Sequence, residues 1–233
     1  MLVKSSETDE TRRRLKENAA FAVLGDQELD ALLKASCRRR FARSRPLFRE
    51  GDEARSIYVL LDGGVKICAA NKGPRPSVLH LVDVLEPFGI YDVVTGAPRT
   101  ESAISLSSCD VVEIAGAQFL RVLGNNAQFA VRTLSAWGAR FRNYAIWCAR
   151  FNHCGAREKV AAYLVSDASR RDETGFRAAY PTRRDIASLL GITPETLSRE
   201  LSYFRSKGWV HVGQNGSLTV DDGNSLKAMI SAC

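Results

Sequence analysis

The chain has 233 residues and a formal net charge of +7, and 45% of its residues are hydrophobic. This length and composition suit one large or two modest domains with hydrophobic cores. No apolar run approaches a membrane span, and the charged N-terminus lacks the core of a signal peptide. The six cysteines are scattered, with no Cys-x-x-Cys pattern, which favours reduced thiols over a disulfide framework. The composition therefore predicts a cytoplasmic protein without a membrane segment.

The first half of the chain changes from a helical to a strand pattern. Residues 1–10 are polar and predict a frayed terminus, whereas residues 11–36 have helical apolar spacing with Asp26 as an N-cap. After Cys37, short apolar runs alternate with turns such as Gly51-Asp52 and Asp62-Gly63-Gly64. The runs lie near 41, 47–48, 57–61, 65–68, 78–82 and 110–114. Many short strands closed by glycine turns predict an antiparallel β-roll.

Residues 117–151 return to a helical pattern with a long apolar stripe. The stripe repeats at spacings of four and three residues and consists of Ala130, Leu134, Trp137, Phe141, Tyr144, Cys148 and Phe151. A helix packed on its own domain would also show it, but three strict heptads favour a seam between two helices. We expect a homodimer held by residues 125–151, with a hinge at Asn152-His153-Cys154-Gly155.

Two short helices with a tight turn are predicted near residues 182–204. Thr182 can cap the first helix, with Asp185 at its N3 position, and Gly191 ends it. Thr193 can cap the second helix, and Pro194 suits its first turn. The second helix has an apolar face of Leu197, Leu201 and Phe204 and a polar face of Glu195, Ser198, Arg199 and Ser202. This arrangement is typical of a helix-turn-helix, in which the polar face enters a DNA major groove.

A β-hairpin is predicted directly after these helices. Strand-like runs at 207–212 and 217–220 flank Gln214-Asn215-Gly216, a favourable turn sequence. The hairpin would form a wing behind the second helix. Residues 154–233 hold eleven basic and nine acidic side chains, a net charge of only +2. The prediction of DNA binding therefore depends on residue placement and not on bulk charge.

Two segments carry a resemblance to a known family. Arg184-Asp185-Ile186-Ala187 to Leu190-Gly191-Ile192-Thr193, followed by Glu195-Thr196-Leu197-Ser198-Arg199, resembles the DNA-binding domain of the Crp/Fnr family of bacterial transcription regulators. Phe48-x-x-Gly51-Asp52-x-Ala54-x-x-Ile57-Tyr58 resembles the cyclic-nucleotide-binding β-roll of the same family. The resemblance implies an α+β fold with a β-roll sensor domain (residues 1–124), a dimerisation helix (125–151) and a winged helix-turn-helix (152–233).

The resemblance also implies a function and partners. The protein is expected to be a dimeric activator that binds double-stranded DNA and RNA polymerase and responds to a small-molecule effector. A surface near the polymerase contact of the family corresponds to a charged loop at 169–179. Arg170, Arg171, Asp172 and Glu173 are weak candidates for that contact, and a solvated loop is the favoured alternative.

The candidate DNA contacts lie on and before the second helix. Arg199 can donate two hydrogen bonds to guanine, Glu195 can accept one from cytosine N4, and Ser198 can bind a base or a phosphate. Thr182 and Arg183, at a helix N-terminus, are candidate phosphate contacts. A solvent-facing Glu195–Arg199 pair is the simpler alternative. The Glu-x-x-Ser-Arg pattern resembles the Fnr-like branch, which implies a palindromic site close to TTGAT-N4-ATCAA.

The effector segment departs from the family pattern. Members that bind cyclic nucleotides share a Gly-Glu pair and a later Arg-Ser/Thr-Ala run, and the matching segments here are 87–92 and 101–103. Ile90 stands where the carboxylate is expected, and Glu101 where the arginine is expected. A carboxylate beside a phosphate is repulsive, so the sequence disfavours cyclic AMP.

Other cofactors and functions have less support. An iron–sulfur cluster needs four thiolates, yet Cys37 is the only cysteine before Cys68. Haem is an open alternative with His80 and Cys68 as candidate ligands, but a packed histidine and a buried thiol are the favoured interpretation of both residues. Cys148 and Cys154 flank the hinge and are candidates for a redox switch or two structural thiols. A regulator without an effector is also possible. No nucleophile–base constellation or metal-ligand spacing supports an enzyme.

Overall fold

The computed structural model describes residues 2–70, 76–151, 154–174, 181–213 and 217–231. The chain divides into two compact units, Met1–Phe141 and Arg142–Cys233. Helix α5 (Ala127–Phe151) contributes residues to both units.

The first unit is built on two four-stranded sheets. Their strands are β1 (Ser36–Phe41), β2 (Pro46–Phe48), β3 (Ser56–Asp62), β4 (Val65–Ala69), β5 (Ser77–Val82), β6 (Pro87–Phe88), β7 (Ser102–Ser105) and β8 (Cys109–Ala115). The strand orders are β1-β8-β3-β6 and β2-β7-β4-β5, and the pairings in both sheets are antiparallel. The predicted antiparallel roll is confirmed.

Strand β3 separates the two hydrophobic cores of this unit. Successive side chains of a strand point to opposite faces. Ile57, Val59 and Leu61 accordingly pack with the helices, whereas Tyr58 and Leu60 pack inside the roll. Because both faces are covered, β3 is apolar along nearly its whole length.

The helices of the first unit differ from the prediction at the N-terminus. They are α1 (Leu2–Lys16), the short 3-10 turn η1 (Phe21–Val23), α2 (Asp26–Lys34), α3 (Ile90–Thr95), α4 (Gly116–Asn125) and the first part of α5. Residues 2–10 belong to α1 and are not frayed. Glu10 in α1 accepts a 2.7 Å hydrogen bond from Arg38 of β1, which ties the helix to the sheet. Gly25, not Asp26, is the N-cap of α2, and its amide donates to Glu28 Oε2 at 2.9 Å.

The second unit holds the predicted helix-turn-helix and wing. Its remaining elements are α6 (Ala156–Thr174), α7 (Arg183–Leu189), α8 (Pro194–Ser206), β9 (Val210–Val212), β10 (Leu218–Val220) and α9 (Gly223–Ser231). β9 and β10 pair antiparallel, as the wing requires, and the turn predicted at 214–216 lies outside the described residues. The sequence did not predict α9, which buries Leu226 completely.

The charged loop predicted at 169–179 is wrong over its first half. Helix α6 continues to Thr174, so Arg170, Arg171, Asp172 and Glu173 lie on a helix. Residues 175–179 lie outside the described residues. Charged side chains are compatible with an exposed helical turn as well as with a loop, so composition alone could not place the end of α6.

Candidate functional site

The N-terminus of α7 is fixed by a reciprocal cap. Thr182 Oγ1 accepts a hydrogen bond from the Asp185 amide at 3.2 Å, and Asp185 Oδ2 accepts one from the Thr182 amide at 3.1 Å. Gly191 follows the helix with φ of +61°, a left-handed conformation that glycine adopts at little cost. Thr182 and Arg183 are exposed at this helix start, where backbone amides and the helix dipole favour an anion.

Helix α8 has one buried and one exposed face. Thr193 Oγ1 accepts from the Thr196 amide at 3.2 Å, and Pro194 occupies the first turn. The buried face consists of Leu197, Leu201 and Phe204, each at most 2% exposed. The exposed face consists of Glu195, Ser198, Arg199 and Ser202. The three predicted base-reading side chains thus share the solvent face of a helix that its own core holds in place.

A buried carboxylate lies beside this face. Glu200 is 5% exposed and accepts a 2.7 Å hydrogen bond from Arg157 Nε of α6. Arg199 Nε lies 3.4 Å from the other oxygen of Glu200. Arg157 also covers the ring of Tyr203, with its guanidinium carbon 3.8 Å from the ring centre. Sequence patterns did not single out Glu200, because its main partner is 43 residues away.

Glu195 has an ionised carboxylate that can accept a hydrogen bond. A hydrogen bond from its own backbone amide and one from Thr193 lower the pKa of Glu195, so the side chain is ionised at neutral pH. Its neighbour Arg199 has its described ion pair with Glu200, not with Glu195. An ionised carboxylate and a guanidinium one helical turn apart can accept from cytosine and donate to guanine, respectively.

The effector segment contains a buried arginine that no sequence pattern indicated. Arg99, two residues before Glu101, is 3% exposed. Its Nη1 donates to the Gly89 carbonyl at 2.7 Å, and its Nη2 donates to the Ser56 carbonyl. The guanidinium also lies 3.6 Å from Asp92 Oδ2 and 4.1 Å from the ring centre of Phe48. The positive charge of the segment therefore lies at Arg99, and it is bonded within the protein.

Gly89 permits this close approach. Its φ is +69°, and a Cβ there would lie 2.8 Å from Arg99 Nη1. Ile90 follows as the first residue of α3 and is 6% exposed. It packs in the core on the helix side of the sheet and not inside the roll. Glu101 is partly buried, and burial, together with the charge of Asp92, raises its pKa.

One of the two candidate haem ligands is already bonded within the protein. His80 pairs across the sheet with Ile67, which belongs to the core inside the roll. Cys68 is the next residue along β4, where the pairing with β5 shifts register, and its partner on β5 is Val78. His80 Nε2 is already bonded to Glu86, with 2.9 Å to Oε1. Among the described residues, no group of three or more potential ligands is arranged for a metal ion.

The cysteines near the hinge differ from the expectation. Cys154 is disulfide-bonded, so the expectation of reduced thiols is wrong for this residue. Cys148 is free, so these two cysteines do not bond to each other. Spacing along the chain does not show which cysteines meet in a fold, which is why the sequence could not predict this bond.

Most of the described stripe on α5 is exposed. Leu134 is 70% exposed, Phe141 72%, Tyr144 57% and Trp137 40%. Trp137 is partly covered because its ring stacks on Tyr91, with ring centres 5.8 Å apart. Large apolar side chains in such a row mark an interaction surface more often than a solvated one. The side chain of Phe151, the last member, lies outside the described part.

A winged helix-turn-helix following an antiparallel roll defines a class of DNA-binding protein with a sensor domain. Residues 38–126 match the family model of the cyclic nucleotide-binding domain, and residues 158–229 match that of the Crp-like helix-turn-helix domain. The chain therefore belongs to the Crp/Fnr family, and it is a DNA-binding transcription regulator and not an enzyme.

Individual relatives agree with this assignment. The chain is 28% identical over 211 residues to the anaerobic regulatory protein of Haemophilus influenzae, covering 88% of this chain and 80% of that protein. It is 26% identical over 198 residues to the nitrogen fixation regulation protein FixK of Azorhizobium caulinodans, covering 82% and 78%. The structure of FixK2 from Bradyrhizobium japonicum shares the fold, with a TM-score of 0.76 at 20% identity over 83% of this chain and 96% of that one. In the described part of this chain, no helix is both long and apolar enough to cross a membrane.

Proposed function

We propose that this protein is a homodimeric transcription activator that acts in the bacterial cytoplasm and reads a palindrome close to TTGAT-N4-ATCAA. The observation that carries the proposal is the exposed face of α8, on which Glu195, Ser198 and Arg199 stand together. Each half-site offers one G·C pair, with guanine for Arg199 and its paired cytosine for Glu195. Ser198 contacts a neighbouring base, and Thr182 and Arg183 contact phosphate.

The dimer follows from the exposed stripe on α5. A palindromic site requires two recognition helices related by a two-fold axis, about 34 Å apart in successive major grooves. Packing two α5 helices together would cover Leu134, Phe141 and Tyr144, which are otherwise largely exposed. We assign residues 125–151 to dimerisation, residues 1–124 to sensing and residues 152–233 to DNA binding.

The effector of the sensor domain is not cyclic AMP in this proposal. A cyclic phosphate needs an accessible cation, but Arg99 is buried and bonded to two carbonyls beside Asp92. Glu101 adds a partly buried carboxyl group to the same segment. Haem is not favoured either, because His80 Nε2 is already bonded to Glu86. RNA polymerase is the expected protein partner, as the family resemblance implies.

Selection from random DNA duplexes with the full-length protein tests the DNA-binding proposal. We expect enrichment of a two-fold symmetric motif with one G·C pair in each half-site. Ala228→Ser changes an exposed position of α9 away from the reading face, and as the control it should enrich the same motif as the wild type. Enrichment of an asymmetric motif, or of half-sites without guanine, would contradict the proposal.

A further inference from the structure

A cavity of about 290 Å³ lies in the first unit beside the start of α5. Its walls come from η1, the loop between β5 and β6, α3, α4 and α5. The apolar lining is rich in aromatic rings and includes Phe21, Leu85, Ile90, Phe119, Phe129 and Trp137. Phe129 packs against both Phe21 and Phe119, with ring centres 5.5 and 5.7 Å apart, so the three rings form one packed wall.

The cavity borders the first of the two segments that match the nucleotide-binding pattern, through Pro87 and Ile90, but not the second. Arg99 and Glu101 do not line it, and Ile90 lines it from the helix side of the sheet. A ligand in this cavity would therefore not depend on the Arg99 guanidinium.

A single hydroxyl on the wall lacks a hydrogen-bond partner. Among the described residues, Thr133 Oγ1 is one of two buried side-chain polar atoms that have none. Buried polar groups in folded proteins are nearly always paired, so an orphaned hydroxyl on a cavity wall marks a place for a ligand atom. A hydroxyl can donate or accept a hydrogen bond, so it can bind either an acceptor or a donor atom of a ligand.

The charged groups of the cavity leave no excess of positive charge. Arg140 Nη1 lies 2.6 Å from Glu86 Oε1, and Glu86 also contacts His80. Asp83 is the other charged residue of the lining. With two carboxylates and one guanidinium around it, the cavity disfavours an anionic ligand.

The loop on one side of the cavity is held in an unfavourable backbone conformation. Leu85 has φ of +65°, a left-handed value that is uncommon for leucine. Its amide donates to the Leu60 carbonyl at 2.6 Å, and its carbonyl accepts from Asn18 Nδ2 at 3.0 Å. Backbone strain of this kind persists only where the surrounding fold holds it in place, and it clusters at ligand sites.

We propose that this cavity binds a small neutral aromatic molecule of one or two rings that carries one hydrogen-bonding group. The volume is about twice that of an apolar cavity of roughly 150 Å³ that accommodates benzene. It therefore suits a bicyclic molecule the size of indole and is too small for a porphyrin. The aromatic body would lie against Phe21, Phe119 and Phe129, and its polar atom would bond to Thr133 Oγ1.

The position of Trp137 connects this cavity with the exposed stripe. Trp137 lines the cavity and is also a member of the exposed stripe on α5. A ligand in the cavity would therefore fix the position of the Trp137 ring in that stripe. A ligand that fixes Trp137 would change the proposed dimer seam and thereby DNA binding. That consequence rests on the proposed function, whereas the binding of the ligand itself does not.

Calorimetric titration of the full-length protein with indole tests the inference. We expect one saturable site per chain in the wild type. Ala136→Trp places a ring at a lining position and should weaken binding at least tenfold. Thr133→Val removes only the hydroxyl and should weaken it about fivefold. Ala139→Trp adds the same ring at an exposed, non-lining position of α5 and should bind indole as the wild type does.

Benzoate supplies the anionic comparison, and it should bind at least tenfold more weakly than indole. The inference is overturned if indole does not saturate the wild type at millimolar concentration. Equal affinity of the wild type and Ala136→Trp for indole would also overturn it. Benzoate binding as tightly as indole would show that the ligand need not be neutral. Wild type that fails to bind indole but still enriches the palindrome would overturn this inference alone.

Discussion

Arg99 and Asp92 form a buried pair, with 3.6 Å between Nη1 and Oδ2 and 1% of each side chain exposed. Asp92 Oδ1 also accepts a 2.9 Å hydrogen bond from the Thr100 hydroxyl. Arg99 Nε has no hydrogen-bond partner among the described residues, but both Nη atoms already donate to carbonyls, and a buried cation is costly to separate from such partners. A phosphate would have to replace Asp92 and two carbonyls while approaching the carboxyl group of Glu101.

We therefore expect calorimetric titration with cyclic AMP and cyclic GMP to show no binding in the micromolar range. Glu101→Ala is the matched variant, because it removes the nearby carboxyl group and keeps Arg99 in its bonds. It should not restore binding, since the Arg99 pair remains. A saturable wild-type isotherm would show that the segment binds phosphate through other groups.

Acid stability of the first unit should depend on Asp110. Burial raises the pKa of this carboxyl, but hydrogen bonds from Arg38 and Arg40 outweigh burial and hold it below its usual value. A lowered pKa in the folded state means that the stabilisation is present above the unfolded pKa of about 3.9 and is lost as pH falls through the folded value.

Asp110→Asn should lower the free energy of unfolding at pH 7 by about 1.5–3 kcal/mol, the range for hydrogen bonds to a charged group. The variant should also lose less stability than the wild type between about pH 4 and pH 2. Urea unfolding across this pH range measures both effects. Asp9→Asn, at an exposed position of α1, is the control and should follow the wild type. Parallel pH curves for wild type and Asp110→Asn would contradict the assignment.

The oligomeric state should depend on the exposed stripe of α5. Leu134 and Phe141 are the best test positions, because Trp137 also stacks on Tyr91 and lines the cavity. Replacing both with Glu should yield monomers by sedimentation and abolish binding to the palindrome. The reason is that carboxylates without a cationic partner are too costly to bury in the seam.

The matched control for the dimer carries the same two charges off the stripe. Ser135→Glu with Ala139→Glu changes exposed positions of the same helix and should leave a dimer. A dimer of unchanged stability in the Leu134/Phe141 variant would exclude α5 as the seam.

Glu200 should act as a positioning residue for DNA recognition. Its carboxylate lies between Arg157 and Arg199, so it helps to set the direction in which the Arg199 guanidinium extends. Glu200→Gln keeps the size of the side chain but removes the charge. We expect the preference for guanine to fall several-fold while the salt dependence of binding stays the same, because no phosphate contact is lost.

Competition binding with duplexes that differ only at the guanine measures this effect. Glu158→Gln removes one negative charge from α6 without touching Arg199 and is the control. A loss of affinity that is equal for both duplexes would assign Glu200 a purely structural role.

The predictable parts of this molecule are those with local causes. The caps of α7 and α8 use side chains three residues away, so Thr182-x-x-Asp185 and Thr193-Pro194 identified both helices. The wing strands were also predicted, because short apolar runs flank a turn sequence.

The parts that were missed depend on distant partners. Strands β6 and β7 are two and four residues long, and cross-strand pairing defines them rather than their own pattern. Arg99 takes its role from Gly89, Ser56 and Asp92, and Glu200 takes its role from Arg157. No periodicity reveals such contacts, so the sequence could indicate a sensor domain without locating its charged core.

The reading of the palindrome should depend on Arg199 and Arg183 in different ways. Arg199→Ala removes the bidentate contact with guanine and should cost about 1–3 kcal/mol per half-site, with the loss confined to duplexes that carry the guanine. Arg183→Ala removes a phosphate contact, so it should weaken all sequences alike and reduce the slope of affinity against salt by about one per half-site. Affinities of both variants for the palindrome and for a guanine-substituted duplex, measured at several salt concentrations, separate the two roles. Ser206→Ala, at an exposed position on the last turn of α8, is the control and should behave as the wild type. If Arg199→Ala keeps its full preference for guanine, the assigned base contact is wrong even though the fold is right.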